Sequence, residues 1–369
     1  MKVLLAAGGT GGHIHPALAI VRELLSRDLR IEAVFVGTRG GLEASLVSQE
    51  GLRLETIEVR GLQGRTFFEK VLCLAQIPRS LTQAWGVLSR FSPQVVVGMG
   101  GYASGPVVLA AALRGIPTLI HEQNAYPGLT NRWLSRVVDV VALSFFESAS
   151  FLKGRRVEVT GNPIRRELLK GDREEARKVL GLGEKELTTF AFGGSQGAHR
   201  INQAMAEALQ GLEGLQGELQ FLHATGERDL DWVEGAYRRH GFRAAVRPYF
   251  HDMTSAYAAS DLCICRAGAS TIAELCALGK PALLIPYPFA ANDHQRLNSR
   301  ALAMVGGAEV IRDQDLDGGK LAGLIRAFLH NRSKLEEMAA RARSLGRPEA
   351  AARIADLIYE LAGKDGNGE

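Results

Sequence analysis

The chain has 369 residues, 46% of them hydrophobic and 23% charged, which is ample for two ordinary domains and usual for a soluble globular protein. That composition excludes a disordered chain, a fibrous repeat and a small disulfide-stapled scaffold. A net charge of +4 is mildly basic and suits a phosphate or an anionic surface as well as nucleic acid.

The amino terminus, Met1 to Ala7, is apolar but runs at once into Gly8-Gly9-Thr10-Gly11-Gly12. It is too short for a signal-peptide core and fits a buried first strand. Further strands are predicted at 31–36, 54–58, 94–98, 117–121, 139–143 and 157–160, then at 187–192, 219–223, 244–247, 261–264, 281–285 and 308–311. Helical periodicity lies between them, as at 16–26 and 198–209. This alternation predicts an α/β fold with parallel sheets covered on both faces. Turn chemistry at Gly161-Asn162-Pro163 and a charged stretch after it separate two strand series. Both series open with a strand that enters glycine-rich sequence and then a helix. The expectation is therefore two Rossmann-like domains facing across a cleft, residues 1–164 and 165–346, with a last helix at about 347–363 packing back on the first. No apolar run is long enough to span a bilayer. The four cysteines, Cys73, Cys263, Cys265 and Cys276, lack zinc or disulfide spacing, which points to a reducing, cytosolic compartment.

Three glycine clusters follow strands and precede helices: Gly8 to His13, Gly100 to Pro106 and Gly193 to Ala198. Glycine lets backbone approach a ligand, and amides at a helix start favour anions. Strand-to-helix turns need glycine anyway, but ligands of open α/β sheets bind at such strand ends. The first cluster does not complete G-x-G-x-x-G, and no carboxylate ends the second strand, so NAD is disfavoured; Arg39 leaves a narrow NADP reading. No lysine stands where a Walker A loop requires it. In Gly268-Ala269-Ser270-Thr271-Ile272-Ala273-Glu274, Glu274 lies about one turn into a helix, too far in for an N-cap. A carboxylate there can accept hydrogen bonds from a vicinal diol such as a ribose, or simply sit in the helix dipole.

With Gly279-Lys280-Pro281 and Ile285-Pro286, this segment resembles the nucleotide-sugar signature of GT-B glycosyltransferases. Together with Gly8–His13, Pro16, Gly100–Pro106, His121-Glu122-Gln123-Asn124 and Gly193–Ala198, it resembles the MurG family from about Lys2 to the last helix. The resemblance implies transfer of N-acetylglucosamine from UDP-N-acetylglucosamine to the C4 hydroxyl of undecaprenyl-pyrophosphoryl-N-acetylmuramoyl-pentapeptide, in peptidoglycan synthesis, with no cofactor. It implies a donor held mainly by the second domain. Glu274 would hold the ribose, Ser195 the pyrophosphate, and Phe250 would offer its backbone to uracil. Ala269, Ser270 and Thr271 would line the helix start, Gln295 would bind sugar hydroxyls, and Arg165 would lie near the phosphates. Thr10, Gly11, Gly12 and Asn124 would reach the donor from the first domain, which would also carry the acceptor and membrane side.

Expulsion of UDP builds negative charge, which glycine-loop amides and helix starts can stabilise without a metal. Asp313-Gln314-Asp315 and Asp315-Leu316-Asp317 match a metal-binding Asp-x-Asp pattern formally, but they precede a helix at 320–329 and suit capping. His13, at a helix start, is the expected general base, the helix end keeping its ring neutral; the bland alternative is a cap or phosphate donor. Glu122 is the rival base or the residue that orients the acceptor, and His15 is a weaker candidate. No nucleophile for retention is evident, so inversion is expected.

Residues 60–90 interleave basic and apolar side chains. Phe67, Phe68, Lys70, Leu72 and Arg79 form an expected patch for an anionic membrane, placing the chain peripherally on the cytoplasmic face. After Pro78 the stripe of Leu81, Trp85 and Leu88 reads as core. The competing functions are a UDP-N-acetylglucosamine 2-epimerase or another GT-B UDP-sugar enzyme, and a non-catalytic sugar-nucleotide-binding subunit. Nucleic-acid binding is not expected, because the charge excess gathers into no reading motif.

Overall fold

Each predicted apolar run forms a strand, and the strands fall into two wholly parallel sheets. The computed structural model describes residues 1–38, 40–59, 76–194 and 196–363, apart from the side chain of Leu42. The expectations placed on Arg39, Phe67, Phe68, Lys70, Leu72 and Ser195 lie outside the described residues. The chain divides into two compact units, Met1–Arg165 with the segment from Arg347 onward, and Arg166–Gly346.

In the first unit, β1 (Lys2–Ala6), β2 (Glu32–Thr38), β3 (Arg53–Ile57), β4 (Val95–Gly98), β5 (Thr118–Glu122), β6 (Val140–Leu143) and β7 (Arg156–Val159) lie in the order β3-β2-β1-β4-β5-β6-β7. Helices α1 (Gly11–Arg27), α2 (Leu42–Gln49), α3 (Ile77–Phe91), α4 (Ser104–Leu113) and α5 (Leu129–Leu134) connect them. Alternate residues of β1 enter opposite layers, as a period of two requires. Val3 and Leu5 pack with Ile14, Leu18 and Val21, while Leu4 and Ala6 pack with Val87, Leu88, Val107 and Val108.

The second unit repeats the pattern. Strands β8 (Leu187–Phe192), β9 (Leu219–Ala224), β10 (Arg243–Arg247), β11 (Leu262–Cys265), β12 (Ala282–Leu284) and β13 (Ala308–Val310) lie in the order β10-β9-β8-β11-β12-β13. Its helices are α6 (Arg173–Val179), α7 (His199–Gly211), α8 (Leu230–Arg239), α9 (Met253–Ala259), α10 (Ala269–Leu278), α11 (His294–Met304), α12 (Gly318–His330) and α13 (Arg332–Ser344). The final helix, α14 (Ala350–Leu361), returns to the first unit. Ile354, Ala355, Leu357, Ile358 and Tyr359 join the core of Val3 and Ile14, and Arg27 pairs with Asp356 at 2.6 Å.

Strand order reverses direction between β1 and β4, and again between β8 and β11. Ligands of open parallel sheets bind at such switch points, beyond the carboxyl ends of the strands. The structure differs from the sequence reading at α1, which starts at Gly11 and carries Pro16 inside it. Proline there removes one helical hydrogen bond, to the carbonyl of Gly12, a loss tolerable so near the helix start.

Candidate active site

In the first unit the loops after β1 and β4 meet at the switch point. Gly101 has φ +77°, and a Cβ on it would lie 2.1 Å from the Gly8 carbonyl oxygen, so the two loops touch backbone to backbone. Ser104 Oγ reinforces the junction, lying 2.6 Å from Ala6 O and 2.7 Å from Gly100 O. Thr10 is the N-cap residue of α1 in extended conformation, yet its side chain makes no capping bond, and the first turn contains no acidic residue. The positive end of α1, at Gly11 and Gly12, is therefore left without a carboxylate of its own.

His13 stands on this first turn. Its Nδ1 is 3.1 Å from Gln123 Oε1, and its ring would press at 3.0 Å on any Cβ added to Gly100. Gln123 Nε2 donates to Met99 O at 2.8 Å and lies 3.1 Å from His121 Nδ1. His121 Nε2 in turn is 3.0 Å from Gly161 O. Burial, with a smaller push from the charge of His13, holds the His121 pKa down to about 4, so this ring is neutral near pH 7.

Glu122 is 2% exposed. Its Oε1 accepts from Asn124 N at 3.0 Å and Asn124 Nδ2 at 3.3 Å. Its Oε2 accepts from Gly128 N at 3.0 Å and Asn131 Nδ2 at 2.9 Å. Burial raises its pKa while these four donors oppose the rise. The carboxylate thus ties Asn124 and the start of α5 to the end of β5. Arg165 closes the first unit, near enough to His15 for its charge to assist burial in lowering that imidazole's pKa.

In the second unit the loop after β8 is locked by Gly197 (φ +75°), whose added Cβ would lie 2.0 Å from Thr225 O. Helices α7 and α10 both begin without a side-chain cap or an acidic first turn. By contrast, α6, α9, α12 and α13 are capped by Asp172, Asp252, Asp317 and Asn331. Ala269 and Ser270 open α10, and Ser270 Oγ is buried without a hydrogen-bond partner. Further along the same helix, Glu274 Oε2 accepts from Tyr257 Oη at 2.8 Å. Gln295 Oε1 accepts from the amides of Ala267 at 3.1 Å and Tyr287 at 2.9 Å, fixing its amide between the β11 and β12 loops. Phe250 is buried edge-on to Phe190, at 5.5 Å between ring centroids. Asp317 caps α12, whereas Asp313 and Asp315 pair with Arg266 and Arg312, each at 2.5 Å. Among the described residues, no group of three His, Cys, Asp or Glu could hold a metal ion.

The fold thus gathers Thr10, Gly11, Gly12 and His13 at one switch point, with Glu122 and Asn124 on the β5 loop beside it. It gathers Ala269, Ser270, Thr271, Glu274 and Gln295 at the other. Sequence reasoning assigned no role to Gln123, His121, Tyr257 or Glu43. Glu43 is buried behind the first loop, accepting from Thr38 N and Oγ1 at 2.7 Å each. The glycines Gly37 and Gly41, which leave room for this carboxylate, are the one local sign of it. Cys263 and Cys265 are neutral core thiols, burial raising the first to about 11 and the second well above the ordinary thiol range.

Residues 3–143 match the glycosyltransferase family 28 N-terminal domain and residues 188–356 match its C-terminal domain. The protein is accordingly a glycosyltransferase built of two Rossmann-type domains. The UDP-N-acetylglucosamine–N-acetylmuramyl-(pentapeptide) pyrophosphoryl-undecaprenol N-acetylglucosamine transferase of Myxococcus xanthus is 45% identical, over 98% of this chain and 93% of that one. The crystal structure of Acinetobacter baumannii MurG superposes with a TM-score of 0.78 at 32% identity, over 97% of this chain and 99% of that one. The chain belongs to the MurG family. A Neisseria meningitidis UDP-GlcNAc 2-epimerase, at 14% identity and a TM-score of 0.68 over 98% of this chain and all (100%) of that one, shares the fold alone.

Proposed function

We propose that the protein moves N-acetylglucosamine from UDP-N-acetylglucosamine to the C4 hydroxyl of lipid-linked N-acetylmuramoyl-pentapeptide, with inversion. The observation that carries the donor assignment is α10. It offers an uncapped amino terminus at Ala269 and, five residues on, the Tyr257-held carboxylate of Glu274. Five residues of helix span about 7.5 Å, a separation suited to the diphosphate and the ribose diol of one nucleotide. Gln295 then donates through Nε2 to the sugar, because its oxygen is occupied by two backbone amides.

The acceptor hydroxyl gives its proton to His13 as its oxygen attacks the anomeric carbon. The anomeric C–O bond breaks and its electron pair leaves with UDP. Amides at the uncapped helix starts meet the growing phosphate charge in a fixed orientation, so little reorganisation is needed. Glu122, with both oxygens engaged by the 124–131 loop, shapes the acceptor side without taking the proton.

The acceptor is a lipid, and we place the first unit against an anionic membrane on its cytoplasmic face. On α3 and α4, Ile77 is 38% exposed, Trp85 47% and Leu113 68%, with the Arg114 guanidinium 5.2 Å from the Trp85 ring centroid. Arg79 is exposed beside Glu58 at 3.0 Å. This mixture of apolar and cationic side chains suits a headgroup boundary. No helix among the described residues is long and apolar enough to cross a membrane.

The test is a transfer assay with labelled UDP-N-acetylglucosamine and lipid-linked N-acetylmuramoyl-pentapeptide, run with and without a chelator. Chelator-resistant formation of a β-linked disaccharide lipid is expected. Epimerisation of the donor with no product on the lipid would refute the reading.

A further inference from the structure

The His13 side chain is the end of a buried hydrogen-bond chain, and the direction of every bond in that chain can be worked out. Two backbone carbonyls, which only accept, fix the directions: Gly161 O at one end and Met99 O beside Gln123 in the middle. Gly161 O lies 3.0 Å from His121 Nε2, so that nitrogen carries a proton. In the neutral ring, His121 Nδ1 is then an acceptor. Met99 O, 2.8 Å from Gln123 Nε2, places the amide NH2 of Gln123 on that side, where its second hydrogen reaches His121 Nδ1 at 3.1 Å. Gln123 Oε1 is left facing His13 Nδ1 at 3.1 Å, and a carbonyl oxygen there requires a proton on Nδ1.

We infer that Gln123 and His121 are positioning residues that hold His13 in its Nδ1–H tautomer, making Nε2 the nitrogen that receives the acceptor's proton. The inference rests on the proposed role of His13 and adds how that role is enforced. The opposite tautomer would set the Nδ1 lone pair against the Gln123 oxygen. Rotating the amide to avoid this would break the bond to Met99 O and set its oxygen against the lone pair of His121 Nδ1. The wrong tautomer therefore costs either the His13–Gln123 bond or the two bonds from the Gln123 amide to Met99 O and His121 Nδ1, so the chain acts as a unit.

The chain also suits the proton transfer. When Nε2 takes the proton, His13 becomes an imidazolium whose Nδ1–H still points at Gln123 Oε1, and that bond becomes charge-assisted. Nothing else in the chain has to move. His121 remains neutral, since its ring is buried and its Nε2 proton is committed to Gly161 O. After transfer the proton on Nε2 passes to water as the products leave, which restores the starting tautomer.

Nitrogen-15 NMR of histidine-labelled protein tests this directly, with His13→Ala and His121→Asn spectra used to assign the two rings. In the wild type at neutral pH, His13 should show a protonated Nδ1 and His121 a protonated Nε2. Finding either ring in the other tautomer overturns the inference, whatever the enzyme's activity. Gln123→Met keeps the bulk but removes the acceptor and donors. It should release His13 into a tautomer mixture and lower kcat about ten- to a hundredfold, no more than the lower bound of the 10²–10⁴ that a general base contributes, because part of the population keeps the working tautomer. The KM values and UDP affinity should stay close to wild type. An unchanged kcat in a folded Gln123→Met protein also overturns the inference. A wild-type protein that fails to transfer sugar at all refutes the proposed function instead, and leaves the tautomer measurement standing.

Discussion

Replacing Tyr257 by Phe isolates the contribution of one oxygen to nucleotide binding. The ring is buried and held edge-on by Phe190 and Phe192, each at 5.9 Å between centroids, so the substitution leaves the aromatic packing in place. What disappears is the 2.8 Å bond from Tyr257 Oη to Glu274 Oε2. A hydrogen bond to a charged group contributes about 1.5–3 kcal/mol net. Glu274 is only partly buried, so water replaces some of that loss and the lower end applies. Without this bond the carboxylate is held less firmly and more ordering is needed when the ribose arrives. A cost near ~1.4 kcal/mol corresponds to about tenfold weaker UDP binding. Burial and the neighbouring Glu274 raise the phenol's pKa well above its ordinary value, so Tyr257 stays a donor through the neutral and mildly alkaline range. The tenfold factor should therefore not vary with pH there. Isothermal titration with UDP and with 2′,3′-dideoxy-UDP reads the effect. The variant should lose affinity for UDP and almost none for the dideoxy nucleotide, which has no diol for Glu274 to hold. Equal losses for both ligands, or no loss for UDP, would refute the idea that Tyr257 acts by aiming Glu274 at the ribose.

Three further outcomes are expected. His13→Ala should lower kcat by about 10²–10⁴ while UDP affinity, measured by titration, stays within about twofold; turnover near wild type would remove His13 from its role. Gly101→Ala should destabilise the first unit by roughly 3 kcal/mol or more, combining about 1–2 kcal/mol for a left-handed alanine with a collision on the Gly8 carbonyl. Gly115→Ala has a similar φ of +68° but no atom within 4 Å, so it should cost only the conformational part, and equal melting shifts for the two would contradict the close approach of the glycine loops. Burial lowers His121 to about 4 and His223 to about 3 from an ordinary 6.5. Below about pH 6.5 the unfolded chain therefore binds protons that the folded chain refuses, and stability falls as pH drops toward those values. The full losses are roughly 3 and 5 kcal/mol, with none expected above about pH 7. Melting curves of His223→Gln should show a shallower acid loss than wild type, and identical slopes would count against a neutral buried ring.

The strands were legible because parallel sheets covered on both faces are built from unbroken apolar runs, as in Val95-Val96-Val97 and Leu262-Cys263-Ile264-Cys265. Helix α1 was legible only from Pro16 onward, because the glycines that begin it carry no side chains to show a period. Periodicity also said which residues of α3 share a side, without saying what covers them. Leu88 is buried, but Trp85 remains half exposed beneath Arg114. Among the proposed site residues, Glu274 and Gln295 stand out in the sequence because glycine and proline turns flag the chain around them. Gln123 and Tyr257 do not, since each contacts another candidate side chain and carries no turn signature of its own. His13 and Gln123 are 110 positions apart, and no local pattern joins them.

The two units share one order over six strands, β7 being extra in the first, yet their glycine packing at the switch points differs. In the first unit the tight glycine contact runs between the loops after β1 and β4, across the switch point itself, where Gly101 meets Gly8 O. In the second unit the corresponding contact lies on the other side of the first strand. There Gly197, after β8, packs on Thr225 O after β9, and Gly226 packs back on Gln196 O at 2.4 Å from its added Cβ. At Gly268, where α10 begins after β11, an added Cβ would meet among the described residues only Thr271 of its own helix, at 3.7 Å. The second unit is thus braced away from its switch point, with space at the α10 start where the proposed function puts the diphosphate. The first is braced across its switch point, where the His13 ring occupies the space a Cβ on Gly100 would need, and on the proposed function that ring is the base. On the proposed function, one shared six-strand order thus serves donor binding in the second unit and proton transfer in the first, and exchanging the two loop pairs should abolish both activities.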